Sequence, residues 1–570
     1  MKERKILALL LAALLFTTGC GASGSAASGS DSESTGTSDN TDATETVTAT
    51  VVDTSDMFTD RDIDWSYDEE DCAHIELDGD GASADTNAVE ISGSTVTITD
   101  EGTYILSGTL DDGMIIVDAG DSDKVQLVLD GVDITSATSA AIYVLEADKV
   151  FVTTASGSEN TLTNGGEYVA IDDNNIDAVI FSKADLVLNG GGTLTITAAA
   201  GHGVVSKDDL KATSGTYVIT AESHGLSGKD SVRIADGTYT IVSGKDGIHA
   251  SNADDESLGY LYIAGGSFVI ESGDDGIHAD SEVTIAAGTI DITQSYEGIE
   301  GLSIDITGGD ISVVASDDGL NAAGGTDSSG FGGRGGDIFA SEEGAYISIA
   351  GGTLHVNASG DGIDSNGDLY VSGGETYVSG PTDSANGALD YAGSAAISGG
   401  IFIAAGSSGM AQNFGSSSTQ GVMMVTVDSA SAGSTLTLCD SDGTELLSWQ
   451  PDKAYSSVVI SCPEITQGST YTLTAGSYST EITMDSLVYG FGTGMGGAGG
   501  MGGGQGGMGG DRGDGTDTAP EGDSGSAPDG NAGDLPDDSG EAPDGNTEMP
   551  GGGMGSGQGG GGRGMGGGRW

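Results

Sequence analysis

What this sequence has little of excludes several classes of protein. Its 570 residues include only 17 Lys and Arg against 88 Asp and Glu, which gives a formal net charge of −71 at pH 7. Binding of nucleic acid, which requires a basic surface, is therefore not expected, whereas binding of cations is favoured. The chain has four cysteines, and no CxxC pair or Cys/His cluster predicts a zinc site. It also lacks a P-loop, a nucleophile elbow and a Ser-His-Asp spacing.

Long apolar runs are absent except at the start of the chain. Lys2, Arg4 and Lys5 precede the apolar run 6–16, and Gly19-Cys20 follows it. This order is typical of a secretory signal peptide, and the run is too short to span a bilayer. Because the ending resembles the lipobox of bacterial lipoproteins, we expect Cys20 to carry a lipid that holds the protein at the cell surface. Simple secretion with cleavage nearby is the alternative.

A short phrase containing one glycine recurs through the middle of the chain. In its clearest copies it is Asp-Gly-Ile-His or Asp-Gly-Ile-Asp. The marker glycines of these copies are Gly203, Gly225, Gly247, Gly276, Gly298, Gly319 and Gly362. They are 22, 22, 29, 22, 21 and 43 residues apart. A repeat of about 22 residues is typical of a solenoid.

The residues between these phrases predict strands. In segments 261–270 and 304–313, apolar residues alternate on both sides of a glycine pair, which is the pattern of a strand with one buried face. We therefore predict two or three short strands in each unit. Successive units stack in parallel around a continuous core, so the fold class is all-β and the architecture is a parallel β-helix.

Stacking of the coils predicts rows of acidic side chains. Equivalent residues of adjacent coils lie about 4.8 Å apart. The first row, before each marker glycine, contains Asp246, Asp275, Glu297, Asp318, Asp361 and Asn386. The second row, two residues after each marker glycine, contains His249, His278, Glu300, Asn321 and Asp364.

Carboxylates arranged in such rows repel one another unless a cation lies between them. Calcium binds six to eight oxygen ligands, so we predict calcium as the cofactor. The predicted ligands are Asp246, Asp274, Asp275, Asp280, Glu297, Glu300, Asp317, Asp318, Asn321, Asp361 and Asp364. A solvated acidic edge without bound metal is the alternative.

Three lysines predict a local basic surface in this acidic chain. Lys183, Lys207 and Lys229 are 24 and 22 residues apart, so they should stack on adjacent coils and bind the carboxylates of a uronate polymer. Nearby basic residues would extend this ladder, namely Lys211, Arg233 and Lys245. The alternative is neutralisation in place by neighbouring acids, namely Asp208, Asp209 and Asp230.

Aromatic residues fall into two groups by their position in the alternation. Tyr262 and Tyr370 alternate outward, where a ring could stack on a sugar. Three others alternate inward and should stack in the core, namely Tyr217, Tyr239 and Phe268.

The composition divides the chain into five segments. Residues 1–20 are the signal peptide, and 21–60 form a flexible acidic and Ser-rich tether. Residues 61–412 form the β-helix, with an inserted loop near 323–344. Residues 413–489 form a small antiparallel β module, and 490–570 a disordered Gly/Met-rich acidic tail. A disulfide between Cys439 and Cys462 in the module could form in an exported protein.

Several longer phrases resemble a known family. They are 102–108, 127–134, 206–210, 228–234 and 273–277. They resemble the carbohydrate-binding β-helix lipoproteins of clostridia, formerly a domain of unknown function, over roughly 64–488. The resemblance implies a right-handed, pectate-lyase-like β-helix that binds calcium and plant cell-wall polysaccharides such as cellulose and pectin. His202 and His224 stand where the family has acids, which weakens the expectation of metal binding at the first coils.

These observations lead to a functional hypothesis. We expect a monomeric, lipid-anchored surface protein that binds polysaccharide without catalysis. A calcium-dependent polysaccharide lyase is the main alternative, in which Lys245, next to Asp246, would be the base. An adhesin or spacer without a glycan ligand is the second alternative.

Overall fold

The computed structural model describes residues 57–323 and 342–491. The predicted signal peptide with Cys20, most of the predicted tether, the interior of the predicted inserted loop and nearly all of the predicted tail lie outside these residues. Among the described residues, no helix has the length and apolar character needed to cross a bilayer.

Helices are confined to the start of the described chain, as α1 (Asp60–Ile63) and a 3₁₀ turn at Glu69–Asp71. The first ten strands form the irregular beginning of the solenoid. They are β1 (Ala73–Gly79), β2 (Ala82–Ala84), β3 (Val89–Ser92), β4 (Thr95–Ile98), β5 (Gly102–Leu110), β6 (Met114–Asp118), β7 (Lys124–Ser136), β8 (Ile142–Glu146), β9 (Lys149–Thr154) and β10 (Glu159–Asn164).

The next 27 strands form the regular coils. They are β11 (Ala178–Ser182), β12 (Asp185–Gly190), β13 (Thr193–Ala198), β14 (His202–Ser206), β15 (Asp209–Ala212), β16 (Thr216–Ala221), β17 (Leu226–Gly228), β18 (Ser231–Ile234), β19 (Thr238–Ser243), β20 (Ile248–Ala250), β21 (Tyr260–Ile263), β22 (Ser267–Ser272), β23 (Ile277–Ala279), β24 (Glu282–Ile285), β25 (Thr289–Ser295), β26 (Ile299–Gly301), β27 (Ser303–Ile306), β28 (Asp310–Ala315), β29 (Leu320–Ala322), β30 (Tyr346–Ile349), β31 (Thr353–Ala358), β32 (Ile363–Ser365), β33 (Asp368–Val371), β34 (Glu375–Ser379), β35 (Asp390–Tyr391), β36 (Ala395–Ile397) and β37 (Ile401–Gly406).

The last seven strands follow the solenoid. They are β38 (Val422–Ala430), β39 (Leu436–Asp440), β40 (Glu445–Trp449), β41 (Tyr455–Ser461), β42 (Thr470–Ala475), β43 (Tyr478–Thr483) and β44 (Val488–Tyr489).

Each regular coil contributes one strand to each of three parallel stacks. In one coil, for example, β17 belongs to a 13-stranded sheet, which we call sheet B, and β18 and β19 belong to two stacks of a 27-stranded sheet, which we call sheet A. Each strand pairs in parallel with the corresponding strand of the next coil, as β17 does with β20 and β18 with β21. The predicted parallel β-solenoid is therefore confirmed, with three strands in each regular coil.

The core is a set of stacked apolar side chains. On sheet B, the residue after each marker glycine points inward and is fully buried, as in Ile248, Ile277 and Ile299. On sheet A, the rings of Tyr217 and Tyr239 stack at 5.2 Å, and those of Tyr239 and Phe268 at 4.7 Å. The predicted aromatic core stack is therefore present.

The marker glycines are required by close packing between coils. A Cβ atom on Gly276 would lie 2.7 Å from the Gly298 carbonyl oxygen and 2.7 Å from the Ile292 side chain. Any larger residue would push neighbouring coils apart, which explains why glycine recurs at this position.

The strands after the solenoid pair antiparallel, as predicted, except that the short β44 pairs in parallel with β38. β41 pairs with β37 and β38, so it continues sheet A beyond the last coil. Strands β40, β39, β42 and β43 form a separate four-stranded sheet. Cys439 and Cys462 both lie in this region as free cysteines, so the disulfide considered above is not formed.

A segment at residues 57–65, which we call the strap, packs across the outer face of sheet A. Asp62 is fully buried, and its carboxylate lies 3.0 Å from the Lys149 ammonium and 3.8 Å from the Lys211 ammonium. The Phe58 ring lies 6.2 Å from the Tyr262 ring. Residues 57–60, which the sequence assigns to the tether, thus belong to the packed body.

Replacement of a marker glycine tests this close packing. Gly276→Ala should lower the free energy of unfolding by roughly 1–3 kcal/mol because the added methyl group overpacks the interface between coils. Urea denaturation measures this difference. Gly81→Ala is the matched control, since its Cβ would have no neighbour closer than 3.9 Å. Equal unfolding midpoints for the two variants would contradict the argument.

Candidate functional site

The two predicted rows lie together on the outer face of sheet B. The strand register places His249 beside His278, His278 beside Glu300, and Asn321 beside Asp364. The structure therefore confirms the order of the second row, and Asp390 of β35 extends it by one coil.

The first row has a structural role that its sequence pattern did not indicate. Four of its aspartates, Asp246, Asp275, Asp318 and Asp361, each accept a hydrogen bond from a backbone N–H at the first-row position of the next coil. The Asp275 amide donates to Asp246 Oδ1 at 3.1 Å, and the Glu297 amide donates to Asp275 Oδ1 at 3.3 Å. The Asp361 amide likewise donates to Asp318 Oδ1. An acceptor is needed at this position because an unpaired buried N–H is unfavourable.

Histidine fulfils the same role in the first coils. The His224 amide contacts His202 Nδ1 at 3.3 Å, and the Asp246 amide contacts His224 Nδ1 at 3.3 Å. Burial and the neighbouring His224 lower the pKa of His202 to about 3, so its ring is neutral and its nitrogen can accept. Histidine thus replaces aspartate at these positions without loss of the hydrogen-bond ladder.

The predicted end of the first row is wrong by one residue. The Gly362 amide donates to the Gly387 carbonyl, and the Ile363 amide donates to the Ala388 carbonyl. Gly387 therefore occupies the first-row position that we assigned to Asn386, and Ala388 stands where the other coils have the marker glycine. Because Gly387 has no side chain, the ladder ends there, with its amide donating to Asp361 Oδ1.

Four histidines form a stack along this face. The ring centroids of His202 and His224 are 4.9 Å apart, those of His224 and His249 are 4.1 Å apart, and those of His249 and His278 are 5.1 Å apart. Asp246 lies against the middle of the stack, with its Oδ2 atom 3.0 Å from His224 Nδ1 and 2.6 Å from His249 Nδ1. Burial lowers the pKa of His249, which favours the neutral imidazole.

His278 lies among three carboxylates. Its Nδ1 atom is 2.7 Å from Glu300 Oε2 and 3.1 Å from Asp275 Oδ2, and its Nε2 atom is 3.5 Å from Asp280 Oδ1. Burial disfavours the charged ring, but the hydrogen bonds to these carboxylates outweigh it and raise the pKa of His278 to about 12. Burial is the main cause that raises the pKa of Asp275 to about 9, and a hydrogen bond with Glu300 contributes to the rise.

A group of carboxylates lies further along the same face, at Asp318, Asp361 and Asp364, which we call the acidic cluster. Their oxygens lie within 4.8 Å of one another. Burial and repulsion by the other two carboxylates hold the pKa of Asp318 well above its usual range. Burial is also the main cause that raises the pKa of Asp361 to about 7. Among the described residues, no Lys, Arg or His forms an ion pair with this cluster.

Further oxygen atoms border the acidic cluster. Asn321, which pairs with Asp364 in the register, is 4% exposed, and its Oδ1 atom has no hydrogen-bond partner among the described residues. A Cβ atom on Gly360 would lie 2.3 Å from oxygens of both Asp317 and Asp318, so glycine leaves room for these carboxylates. This set of oxygens fits a hard cation such as Ca²⁺, which prefers carboxylate and amide oxygens.

The predicted metal ligands thus fall into several groups. Asp275, Glu297 and Glu300 bring their oxygens within 4.8 Å of one another, but His278 already compensates two of them. Asp246 contacts histidines instead of other carboxylates. Asp280 contacts His278 Nε2 with one oxygen and accepts from Ser251 at 2.8 Å with the other.

The three lysines form the predicted ladder. Lys183, Lys207 and Lys229 each follow a strand of sheet B, and the Lys207 and Lys229 amides donate to the preceding coil at Ser182 and Ser206. Lys229 pairs with Asp254 at 2.6 Å, and the Lys207 ammonium lies 5.2 Å from the Phe181 ring centroid. Within the described segments, Lys183 and Lys207 form no ion pair.

The acids expected to neutralise the ladder have other partners. Arg233 binds Asp209 with two hydrogen bonds of 2.9 Å, and Asp230 accepts from Asn252 at 2.7 Å. Lys211 and Arg233 do not extend the ladder as we expected. They lie on adjacent strands of sheet A, where Lys211 is the register partner of Arg233. Both contact Asp209 near the strap.

The two predicted sugar-stacking tyrosines do not lie on this face. Tyr262 points outward from sheet A but is only 7% exposed, because Phe58 of the strap covers it. Tyr370 lies in the same outward column of sheet A and bonds to Asp368. Tyr262 is therefore not available to a ligand, and the strap that covers it could not be inferred from the repeat.

The chain is thus a parallel β-helix protein that carries ionisable groups on the outer face of sheet B. These groups are the two rows, the histidine stack and the lysine ladder. Residues 92–341 match the model of a family described as "Carbohydrate-binding domain-containing protein". This match confirms, for that part of the chain, the family resemblance predicted from the sequence.

Two known proteins resemble the chain. One, from Acetivibrio thermocellus, has the same description and is 40% identical over 152 residues, which is 26% of this chain. The chain spans 53% of the length of that relative. The other is a solved structure described as a polysaccharide lyase-like protein from C. thermocellum, in a gadolinium derivative. It is 36% identical, with 44% of this chain and 97% of that chain covered and a TM-score of 0.37.

The acidic cluster predicts a characteristic dependence of stability on pH. Because the folded pKa of Asp361 is raised from 3.8 to about 7, its favourable contribution is present below pH 3.8 and is lost as the pH rises through about 7. Asp361→Asn should therefore lessen the loss of stability on raising the pH, by about 1–3 kcal/mol. Thermal unfolding in the presence of a chelator measures this change. The asparagine can still accept from the Gly387 amide.

The control for this experiment is Asp310→Asn, an exposed aspartate on sheet A. Both variants change the net charge equally. A difference between their pH profiles of stability therefore measures the effect of the acidic cluster. Parallel pH profiles for Asp361→Asn and Asp310→Asn would show that the carboxylates of the acidic cluster do not destabilise the folded protein by mutual repulsion.

Proposed function

We propose that this protein binds acidic plant cell-wall polysaccharides, such as pectin, without cleaving them, along the outer face of sheet B, and that cellulose-like polymers share this surface. The observation that carries the proposal is the presence on one face of two exposed lysines without an ion pair, Lys183 and Lys207, and of an acidic cluster without a cationic partner among the described residues. The lysine ladder offers exposed cations, and the acidic cluster offers carboxylates that a metal ion can bridge to a ligand carboxylate.

Calcium is the cation that we propose for the acidic cluster. Three carboxylates, the orphan Asn321 Oδ1 atom and the adjacent Asp317 carboxylate supply hard oxygen ligands. Bound Ca²⁺ would relieve the repulsion that raises the pKa of Asp318. It would also leave coordination positions for carboxylates of a uronate polymer, which the acidic protein would otherwise repel.

The lysine ladder would bind the same type of polymer at a distance from the calcium. Seven strand steps separate Lys183 from Asp364 in sheet B, which is about 34 Å at the spacing of adjacent strands. A polymer lying along the solenoid axis would therefore contact both regions. Such contacts, repeated at the spacing of the coils, suit an extended repetitive ligand better than a small molecule.

Binding is favoured over lyase activity by the position of Lys245, the candidate base. Lys245 is exposed but precedes β20, and three strand steps, about 14 Å, separate its coil from that of Asp318. In a metal-assisted elimination, the base and the metal must act on the same sugar. This separation does not suit that arrangement.

The location at the cell surface is part of the proposal. It rests on the signal-like segment that ends at Cys20, which lies outside the described residues. A lipid at Cys20 and a tether of some 35 residues would hold the solenoid outside the cell.

Removal of carboxylates from the acidic cluster tests the role of calcium. The double variant Asp318→Asn/Asp364→Asn should weaken calcium binding at least about tenfold, because two anionic ligands become neutral. Isothermal titration with calcium measures the affinity, and retention on insoluble polygalacturonate measures polymer binding. Asp310→Asn is again the control, and unchanged calcium affinity in the double variant would overturn the assignment.

Removal of the ladder tests the basic surface. The triple variant Lys183→Ala/Lys207→Ala/Lys229→Ala should elute from polygalacturonate at lower salt than the parent, whereas Lys124→Ala, on sheet A and paired with Asp148, should not. Ultraviolet absorbance recorded in the same samples would detect unsaturated uronate. Growth of that absorbance, lost in Lys245→Ala, would replace the binding proposal by the lyase alternative.

A further inference from the structure

A second group of metal-ligating side chains lies on sheet B, apart from the acidic cluster. His224, Asp246 and His249 bring one ligand atom each within 4.8 Å of the other two. His224 and Asp246 are 9% and 4% exposed, and the His249 side chain is 20% exposed. Three ligand groups that are nearly removed from water and converge on one point form a built site, in contrast to scattered surface carboxylates.

The donor atoms differ in kind from those of the acidic cluster. Two imidazole nitrogens and one carboxylate oxygen suit zinc, copper, nickel or iron, whereas Ca²⁺ prefers oxygen alone. The position of each histidine is specific to these coils, because Asp318 and Asn321 occupy the equivalent positions further along. The change of residue type between coils therefore changes which metal ions the donor atoms prefer.

The Nδ1 atom of His224 faces both a donor and an acceptor. Its Nδ1 atom lies 3.3 Å from the Asp246 amide nitrogen and 3.0 Å from Asp246 Oδ2. One neutral ring nitrogen cannot accept from the N–H group and donate to the carboxylate at the same time. If it accepts from the amide, two acceptor atoms face each other at 3.0 Å. A metal ion bound to both atoms would convert this contact into coordination, and His224 Nδ1 would then give up its contact with the Asp246 amide.

Compensation of the Asp246 charge leads to the same conclusion. Among the described residues, Asp246 has no Lys or Arg partner. Its Oδ1 atom accepts from the Asp275 amide, and its Oδ2 atom contacts the two histidines. A divalent ion would add a fixed positive charge next to this buried carboxylate.

We propose that His224, Asp246 and His249 form a binding site for a divalent transition-metal ion of the zinc type, which joins the coils of β17 and β20. Zinc lies about 2.0–2.2 Å from such ligands and holds them roughly 3.4 Å apart in tetrahedral geometry. Asp246 Oδ2 therefore needs to separate from His224 Nδ1 by a few tenths of an ångström and from His249 Nδ1 by somewhat under 1 Å. The two rings, now inclined by 19°, need to tilt so that both nitrogens face the ion. The proton that His249 Nδ1 shares with Asp246 moves to Nε2 of the same ring. With three protein ligands, a fourth position remains for water or a ligand group.

The test uses the full chain, freed of metal with a chelator and titrated with zinc in millimolar calcium against a chromophoric zinc chelator. The variants are His224→Asp and His249→Asn, which install the residue types that the same rows carry at Asp318 and Asn321. Because Asp318 accepts the next amide of the ladder, His224→Asp should preserve the fold. We expect one zinc ion per parent chain and at least about tenfold weaker binding in each variant.

Three controls distinguish the site from other zinc ligands. His355→Gln, which changes an exposed histidine stacked on Tyr377, should bind zinc like the parent. Cobalt bound in place of zinc should show no intense thiolate band in the near ultraviolet, which excludes ligation by the free cysteines. Circular dichroism of each variant checks that the solenoid is intact.

The proposal is overturned if calcium at that concentration prevents zinc binding to the parent. It is also overturned if both variants bind zinc as tightly as the parent, or if the cobalt form has the thiolate band. None of these outcomes depends on polysaccharide binding, which is measured separately on polygalacturonate.

Discussion

The register between coils is the constraint on which the other features depend. In a parallel solenoid, each residue lies about 4.8 Å from its equivalent on the next coil. The side chains at one coil position therefore form a row along the solenoid axis. The first row adds a stricter requirement, since each of its amides needs an acceptor on the preceding coil. Aspartate meets this need with Oδ1 and histidine with Nδ1. Aspartate then retains a second oxygen for another partner, which is why a structural ladder also provides a row of ligands.

The same register concentrates charge, and the chain resolves this repulsion in two ways. Around Asp246 and Asp275, histidines lie between the carboxylates, and His278 alone contacts three of them. Around Asp318 and Asp361, the described residues include no such partner, and burial together with repulsion raises the pKa of both carboxyl groups. The face therefore changes from mixed nitrogen and oxygen donors to oxygen donors alone.

Features that depend on the repeat could be predicted from the sequence, and features that join distant parts of the chain could not. The strand positions, the inward Ile248 and Ile277, and the order of the acidic rows all follow from the period of about 22 residues. We misplaced the end of the first row because Ala388 stands at the position of the marker glycine. The neighbouring Gly387 was therefore taken for the marker. Lys211 follows Lys207 by only four residues, but a turn between them moves it to sheet A. The strap was missed entirely, since its contacts join Asp62 to Lys149 and Lys211, which are 87 or more residues away.

The strap bears directly on which face of the solenoid binds ligands. On sheet A, the outward column that includes Lys211, Arg233 and Tyr262 has the residue types of a glycan-binding surface. The strap uses all three for internal contacts, because Asp62 binds Lys211, the Met57 carbonyl accepts from Arg233, and Phe58 covers Tyr262. A buried salt bridge of this kind lowers the exposed positive charge of the face that it covers. On sheet B, by contrast, Lys183 and Lys207 remain exposed beside the histidine stack. The strap therefore removes this part of sheet A from contact with a ligand, which favours the exposed lysines of sheet B as the basic surface that a polyanion meets.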